Sequence, residues 1–478
     1  MKNYETVIGL EVHLQLNTKT KIFCGCSTQF GQEPNSQTCA VCLGLPGSLP
    51  VLNEQVLLSG MKIGLALNCE INSLVKFDRK NYYYPDLPKA YQISQYDFPI
   101  AKNGFLNVET SGQIKKIGIV RAHMEEDAGK LIHNPETKSS LVDYNRTGIP
   151  LIEIVSEPDM RSAQEAYDYL TTLKLLLAYL DVSDCDMEKG SLRCDANVSI
   201  REQGVKELGT KTELKNLNSF KAVKNAIDYE VNRQIKSVEA GERIIQETRL
   251  WNEEKQMTFS MRSKEEAHDY RYFPEPDLVP FMIDVSIVEK ARQALPELPP
   301  EKTNRFINDY KLSLYDAGVL VQDKELAFFF EACVTAFNNP KKITNWITSI
   351  LKQELNTRKM TISQTKLSVA HFIELIKKVE DGTLNNLIGK EVLALMLDTG
   401  KDSAAIIQEK GLTQVSDDDT LNKIIDQVLK ENLAIVQEIK SGKESATGFL
   451  IGQCMKKTQG KANPKKIGEL IKGRIQNV

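Results

Sequence analysis

No stretch of this sequence approaches the roughly 18 uninterrupted apolar residues of a membrane span. The opening residues, Met1-Lys2-Asn3-Tyr4-Glu5, lead into a segment broken by Glu11 and His13 rather than into a signal-peptide core. No membrane association is expected, and the expected location is cytoplasmic. Bulk charge is also lacking. With 61 basic and 64 acidic residues the formal charge is −3, so any surface for a polyanion has to be local. Nine cysteines, an odd number, in a long chain without an export signal argue against a disulfide framework. The phosphate loop G-x4-G-K-[ST] does not occur, and no G-x-G-x-x-G opens a helix. A nucleotide site in this chain would be of an uncommon kind.

What the sequence does contain is ordinary in bulk and specific in pattern. At 478 residues it is too long for one core, and its 41% hydrophobic and 26% charged content fits a soluble multidomain protein. Several segments alternate with a period of two, which predicts strands with one polar face. Val7 to Leu16 carries Glu11, His13 and Gln15 on one face and Leu10, Val12 and Leu14 on the other. Ile117 to Glu125 puts Ile117, Ile119, Arg121, His123 and Glu125 together, a face that turns from apolar to ionic along its length. Glu126 then points away unless the strand ends or bulges there, and Asp127 falls in the turn. Leu151 to Val155 reads as a short buried strand carrying Glu153. Leu192 to Ile200 presents Arg193, Asp195, Asn197 and Ser199 on one face, with Cys194 inward. Lys211, Glu213 and Lys215 share a side of the next segment.

Taken alone, Arg121 to Lys130 fits a solvated acidic turn as well as a metal site. Hard cations take carboxylate oxygens and keep several waters. As a set, the strands offer acids for Mg²⁺ (Glu11, Glu125, Glu126, Asp195), cations for phosphate (Lys80, Arg193, Lys211) and amides for orientation. That inventory suits phosphoryl transfer, which rests on positioning and charge neutralisation. Asp78 to Gln95 has neither helical nor strand periodicity. Its tyrosines suit base stacking and its Arg79 and Lys80 suit phosphates, while an aromatic-packed loop over the core explains it equally. Cys24-x-Cys26 and Cys39-x2-Cys42 form two close thiol pairs of the kind that close a tetrahedral zinc site. Four thiolates leave no open position, so the zinc would be structural.

Helices are predicted over Asn53 to Leu67, Ser162 to Leu180 and Phe220 to about Ala240, the last capped by Asn218 or Ser219 and ended by Gly241. Pro296, Pro299 and Pro300 mark a change of texture, after which helical patterns dominate: Glu301 to Tyr310, Lys324 to Asn338, Ile343 to Asn356, Ser368 to Glu380 and Leu384 to Leu397. Phe328, Phe329, Phe330 and Trp346 are expected core. Ser416-Asp417-Asp418-Asp419 would open a helix reaching about Gln437. From Phe449 to Val478 seven basic residues face one acid, Glu469, which fits contact with an RNA backbone or an ordinary lysine-bearing surface.

Ile8 to His13, Tyr84 to Gln92, His123 to Asp127, Asp143 to Pro150, Gly190 to Asn197 and Lys211 to Phe220 resemble the B subunit of the tRNA-dependent amidotransferases, GatB of the GatCAB complex, in order along essentially the whole chain. The resemblance implies a protein that uses ATP and Mg²⁺ to phosphorylate the side-chain carboxylate of mischarged Glu-tRNA(Gln) or Asp-tRNA(Asn). Ammonia from a glutaminase (amidase) partner, GatA, would then displace phosphate, with a small third partner, GatC, completing a heterotrimer. It places Glu11, His13, Glu125 and Glu126 about the metal, Lys80 and Asp195 nearby, and Cys24, Cys26, Cys39 and Cys42 on zinc. Arg193, Lys211 and Glu213 are expected on the nucleotide side. The inserted domain of the related GatE proteins has no counterpart here. There is no glycine- and serine-rich amidase signature and no obvious cysteine nucleophile, four of the nine cysteines being committed to the zinc pattern and Cys194 facing inward, so the ammonia has to come from elsewhere. The expected fold class is α+β: a mixed catalytic cradle on a largely antiparallel sheet over 1–293, a helical domain over 294–409, and a basic helical tail over 410–478 that binds tRNA. A stand-alone Mg²⁺-dependent kinase acting on a small carboxylate and a zinc-stabilised RNA-binding scaffold are the rival readings.

Overall fold

A computed structural model of the chain describes residues 3–134, 136–261, 270–411, 418–440, 446–458, 462 and 464–476. It divides into two compact units, Met1–Pro299 and Pro300–Val478. The first is built on a nine-stranded sheet and the second is helical, so the class is α+β.

Five strands carry the polar face: β1 (Tyr4–Gln15), β2 (Gln113–Glu126), β3 (Pro150–Ser156), β4 (Leu192–Glu202) and β5 (Thr212–Lys215). They lie in the order β5-β4-β1-β3-β2, extended beyond β5 by Thr248–Asn252 and Met257–Ser260, and beyond β2 by Ala101–Thr110 and Glu70–Ile71. Every neighbouring pair is antiparallel except β5 with Thr248–Asn252. Alternation sets the two faces. Leu10, Val12 and Leu14, with Ile152, Ile154, Ala196 and Val198, join one apolar cluster together with residues of three helices.

Those helices, α1 (Glu54–Ala66), α2 (Ala163–Tyr179) and α3 (Phe220–Glu239), start at side-chain caps. The oxygens of Asn53, Ser162 and Ser219 accept from Gln55, Glu165 and Ala222 N–H respectively. Ser219, rather than Asn218, is thus the cap of α3. Gly241, at φ +78°, follows its end in the left-handed conformation that glycine adopts freely.

One predicted face is corrected. Ile117 and Ile119 do not share a side with Arg121, His123 and Glu125; both are buried in the apolar cluster. Ile119 pairs with Gly104, whose missing Cβ would collide with Leu67 and Cys69 just beyond α1. The register with β3 slips between Ile119↔Ser156 and Arg121↔Val155, so Val120 is one extra residue. Such a bulge reverses the parity and re-aims the side chains that follow. The same bulge sends Ala122 and Met124 into the core and turns His123 and Glu125 to the polar face.

In the second unit, Lys324–Ala336, Val369–Glu380 and Asn386–Thr399 agree with the predicted helices within a few residues. Leu314–Val321 and Ser403–Lys410 add two short ones that the hydrophobic pattern did not reveal. Phe330 and Trp346 are buried, whereas Phe328 is 49% exposed and lies under the Lys302 ammonium, 4.7 Å from the ring centroid. The predicted cap at Ser416 and Asp417 lies outside the described residues. The helix beyond it is two, Asp418–Glu431 and Leu433–Lys440. Leu421, Ile425 and Val428 pack with Leu450, Cys454, Ile467 and Ile471 in a cluster of their own.

Candidate functional site

Antiparallel register lines up the polar residues in rows. Arg193 on β4 faces His13 on β1, His13 faces Glu153 on β3, and Glu153 faces His123 on β2. The next row runs Asp195, Glu11, Val155, Arg121. Directly opposed residues point to one side of a sheet, so four strands bring together groups far apart in the chain, as the bond from Asn197 Nδ2 to Glu11 Oε1 (2.9 Å), 186 positions apart, illustrates.

At the centre, one ligand atom each from His13, Glu125 and Glu153 lies within 4.8 Å of the others. His13 Nε2 is 3.9 Å from Glu125 Oε1 and 3.6 Å from Glu153 Oε2. His123 Nε2 closes the back, 3.6 Å from Glu125 Oε2 and 3.3 Å from Glu153 Oε2. These separations are those of ion pairs at the long end of hydrogen-bond range, so the groups are coupled through charge. Ser94 Oγ donates to Glu125 Oε2 at 3.2 Å from the small sheet formed by Phe273–Pro274, Asp78–Asn81 and Tyr91–Ser94. The same sheet contributes Lys80, whose ammonium lies 4.8 Å above the Tyr270 ring.

The electrostatics follow from burial opposed by neighbouring charge. Burial alone would lower the pKa of His123, but Glu153 and Glu125 raise it to about 9. For His13 the contact with Glu153 likewise outweighs burial, and its pKa is raised. Burial would push both carboxyls up, yet the histidines hold Glu125 below and Glu153 well below the ordinary range. Glu11, where burial and the Glu153 charge act together, is raised. Two carboxylates and one imidazole, converging from neighbouring strands, are a donor set that suits a hard divalent cation.

Glu153 is the residue that sequence reasoning passed over. Its signal was present as a charged residue inside an apolar run, Leu151 to Val155. Glu126 is the converse. It was expected at the metal, but alternation turns it to the other side, where it accepts from Lys89 Nζ and from Ile93 N–H (2.9 Å). There it lines a cavity with Lys21, Cys24, Cys42 and Gly148. Asp127 does more than shape a turn. It is buried and accepts from both terminal nitrogens of Arg193, at 3.0 Å each, and from Gln15 Nε2 at 2.7 Å. Arg193, expected to face a nucleotide, is therefore already engaged. Asp195 and Glu213 are both bridged by Lys215 Nζ, at 3.1 Å each, and Lys211 is exposed just before β5.

The four predicted thiols do meet: Cys24, Cys26, Cys39 and Cys42 offer sulfurs within 4.8 Å of one another. Cys39 N–H donates to Cys42 Sγ at 3.1 Å, and the Lys21 ammonium, fully buried, stands 3.7 Å from that sulfur. Contact with the Cys24 thiol, despite burial, and the charge of Lys21 hold the Cys42 thiol down at about 4. Four sulfurs this close, one of them held as a thiolate beside a buried ammonium, fit tetrahedral zinc.

Residues 6–289 match the GatB/GatE catalytic domain family, and residues 328–475 match the family described as GatB domain. The chain is 54% identical over 478 residues to the B subunit of the aspartyl/glutamyl-tRNA(Asn/Gln) amidotransferase of Carboxydothermus hydrogenoformans, covering 99% of each chain. It is 55% identical over 472 residues to the protein of that name from Caldanaerobacter subterraneus subsp. tengcongensis, again 99% of each. With that of Brevibacillus brevis it shares 51% over 471 residues, 98% of each. A match of this length and identity leaves one conclusion: the chain belongs to the GatB/GatE family, among the B subunits of the aspartyl/glutamyl-tRNA amidotransferases.

Proposed function

We propose that this chain carries the kinase half of a tRNA-dependent amidation. It uses ATP and Mg²⁺ to phosphorylate the side-chain carboxylate of Glu-tRNA(Gln), Asp-tRNA(Asn) or both, and the acyl phosphate is then amidated. The observation that carries the reading is the convergence of His13, Glu125 and Glu153 beside Lys80, with Glu11 one row away. His13, Glu125 and Glu153 would hold the metal, whose charge, when bound, offsets that of the phosphates. Lys80, on the small sheet, is kept protonated against burial by the charges of Glu125 and Glu153, a cation available to offset phosphate charge. Asp195, Lys215 and Glu213 continue the polar floor along β4 and β5.

Cys24, Cys26, Cys39 and Cys42 would hold a structural zinc, supported by their mutual distances and by Lys21. Ammonia would come from the glutaminase partner GatA, with the small partner GatC in the same heterotrimer. In support, the buried Cys69, Cys185, Cys194 and Cys333 all have thiols raised by burial, unlike reactive nucleophiles. Residues 410–478 would form the tRNA-binding domain, after a catalytic cradle over 1–293 and a helical domain over 294–409. The amidotransferase would act in the cytoplasm. Among the described residues no helix is long and apolar enough to cross a membrane.

The test is to purify the tagged chain from its own cell. Two copurifying partner proteins and ATP consumption that requires mischarged tRNA are the expected result. ATP turnover driven by free glutamate or aspartate would favour the stand-alone kinase, and the absence of any turnover would favour the scaffold.

A further inference from the structure

Guanidinium groups inside the first unit are matched to carboxylates with regularity. Arg79 meets Glu275 at 2.7 and 2.8 Å, Arg193 meets Asp127, Arg233 and Arg249 meet Glu230 and Glu247, and Arg161 and Arg201 meet Glu5. Arg121 breaks the pattern. Its Nε is buried without a hydrogen-bond partner, and no side-chain hydrogen bond or ion pair joins it to another described residue. Its register neighbours explain why: Val155 on β3 has nothing to offer, and Lys102 on the other side is a cation.

The location is informative. Arg121 shares the polar face with His123 and Glu125, two and four residues further along β2. His123 Nδ1 is itself buried without a partner, so two of the seven such side-chain atoms among the described residues sit side by side at this site. Burial and the charges of Glu125 and Glu153 raise the Tyr272 hydroxyl, while those of Lys80 and Arg121 oppose them, so both cations act on the same region as the cage carboxylates. Lys80, whose ammonium lies 4.8 Å from the Tyr270 ring centroid, is the other cation of this region, and among the described residues neither it nor Arg121 has a carboxylate within ion-pair distance. A planar guanidinium with an unused donor is a receiver for phosphate oxygens, which it takes in a fixed fork geometry that a lysine cannot copy.

The geometry points to Arg121 as a phosphate-binding residue: with Lys80, it receives a phosphoryl group of the polyphosphate chain of a nucleoside triphosphate at the mouth of the cage. The inference rests on the phosphoryl-transfer reading above and adds to it the residue that completes the anion site.

The experiment uses the full-length chain and inorganic tripolyphosphate as probe, with ATP and mischarged tRNA as separate arms. Tripolyphosphate should bind the wild type and bind Arg121→Met at least tenfold more weakly. In tRNA-dependent ATP hydrolysis the same variant should show a KM for ATP raised at least tenfold, with Arg121→Lys intermediate and mischarged-tRNA affinity unchanged. If Arg121→Met does not fold, arginine modification of the wild type with phenylglyoxal decides, since tripolyphosphate should shield Arg121. Equal tripolyphosphate binding by wild type and variant, equal modification with and without the probe, or a loss confined to tRNA affinity would each overturn the assignment. Absence of ATP hydrolysis by the wild type would count against the phosphoryl-transfer reading, while the tripolyphosphate arms would still decide the role of Arg121.

Discussion

Arg193 on β4 and Asp127 just beyond β2 hold each other through two parallel bonds of 3.0 Å, tying together strands that are separated in the sheet by β1 and β3. Burial would raise the Asp127 carboxyl, but the charges of Arg193 and Arg146 and the bonds from Arg193 and Gln15 hold it below the ordinary range. Removing Arg193 leaves the buried Asp127 carboxylate with Gln15 and Arg146 alone, and removing Asp127 leaves the partly exposed Arg193 without its carboxylate. Asp127→Ala or Arg193→Ala should each cost about 1 to 3 kcal/mol in denaturant unfolding, and the double variant should lose less than the sum. A carboxyl depressed in the fold contributes stability that is present above its unfolded pKa and lost as pH falls through the folded one. Asp127→Ala should therefore flatten the acid limb of the stability curve. Additive losses, with a raised KM for ATP in Arg193→Ala, would instead assign the arginine to the nucleotide.

Much of the site was legible in the sequence because a period of two is a direct record of faces. Leu10 to Leu14 and Leu192 to Val198 alternate cleanly, and their polar partners Glu11, His13, Arg193 and Asp195 came out on one side. Where reading failed, the missing information was non-local. A one-residue bulge at Val120 changes which side Ile119 takes, and only the pairing partner Ser156 reveals it. Glu153 needed its neighbours His13 and His123, which lie on strands 140 and 30 residues away in number, to become part of a cage. Phe328 reads as core by type, but a lysine covers it rather than the core. The thiol knot was legible because spacing alone constrains four close cysteines.

The cage predicts a division among three neighbouring glutamates. Glu125→Gln and Glu153→Gln each keep the shape and remove a charge that a divalent cation would use. Each should lower tRNA-dependent ATP hydrolysis at least about a hundredfold while leaving the fold intact by circular dichroism. Glu126→Gln should act differently, because its carboxylate is bound by Lys89 and the Ile93 N–H on the far side. Its main effect should be on thermal stability rather than on Mn²⁺ binding measured by electron paramagnetic resonance. Loss of the Mn²⁺ signal in Glu126→Gln, with retention in Glu153→Gln, would return the metal to the adjacent pair Glu125 and Glu126.

The thiols should separate into two populations. Burial pushes Cys185 up to about 11 and Cys69 and Cys333 up to about 12, so these should alkylate slowly at pH 8 and faster only as pH rises toward those values. Cys24, Cys26, Cys39 and Cys42 should be protected while zinc is bound. Chelation should release one equivalent of zinc, lower the melting temperature and open these four to rapid alkylation. A chelator that releases no zinc and leaves the melting curve unchanged would remove the zinc assignment.

The end of the chain permits a test of where tRNA is held. Asp418–Glu431 packs on Thr447–Lys457 and Pro464–Gln476, and its apolar positions close a core of their own around Ile425, Leu450 and Ile467. Ser403–Lys410 ends in Gly411 at φ +60°, a natural stop for the helix before it. Truncation after residue 410 therefore removes a whole small core rather than cutting through one. The part removed carries the basic cluster, of which Lys457 is paired with Glu431 at 2.7 Å. If these lysines meet phosphates, removing each lysine–phosphate pair should lower the slope of log affinity against log salt by somewhat less than one. The truncated chain should bind mischarged tRNA more weakly and with a shallower salt dependence, while ATP affinity stays as in the full chain. Unchanged tRNA affinity in the truncated form would place the RNA surface elsewhere in the protein.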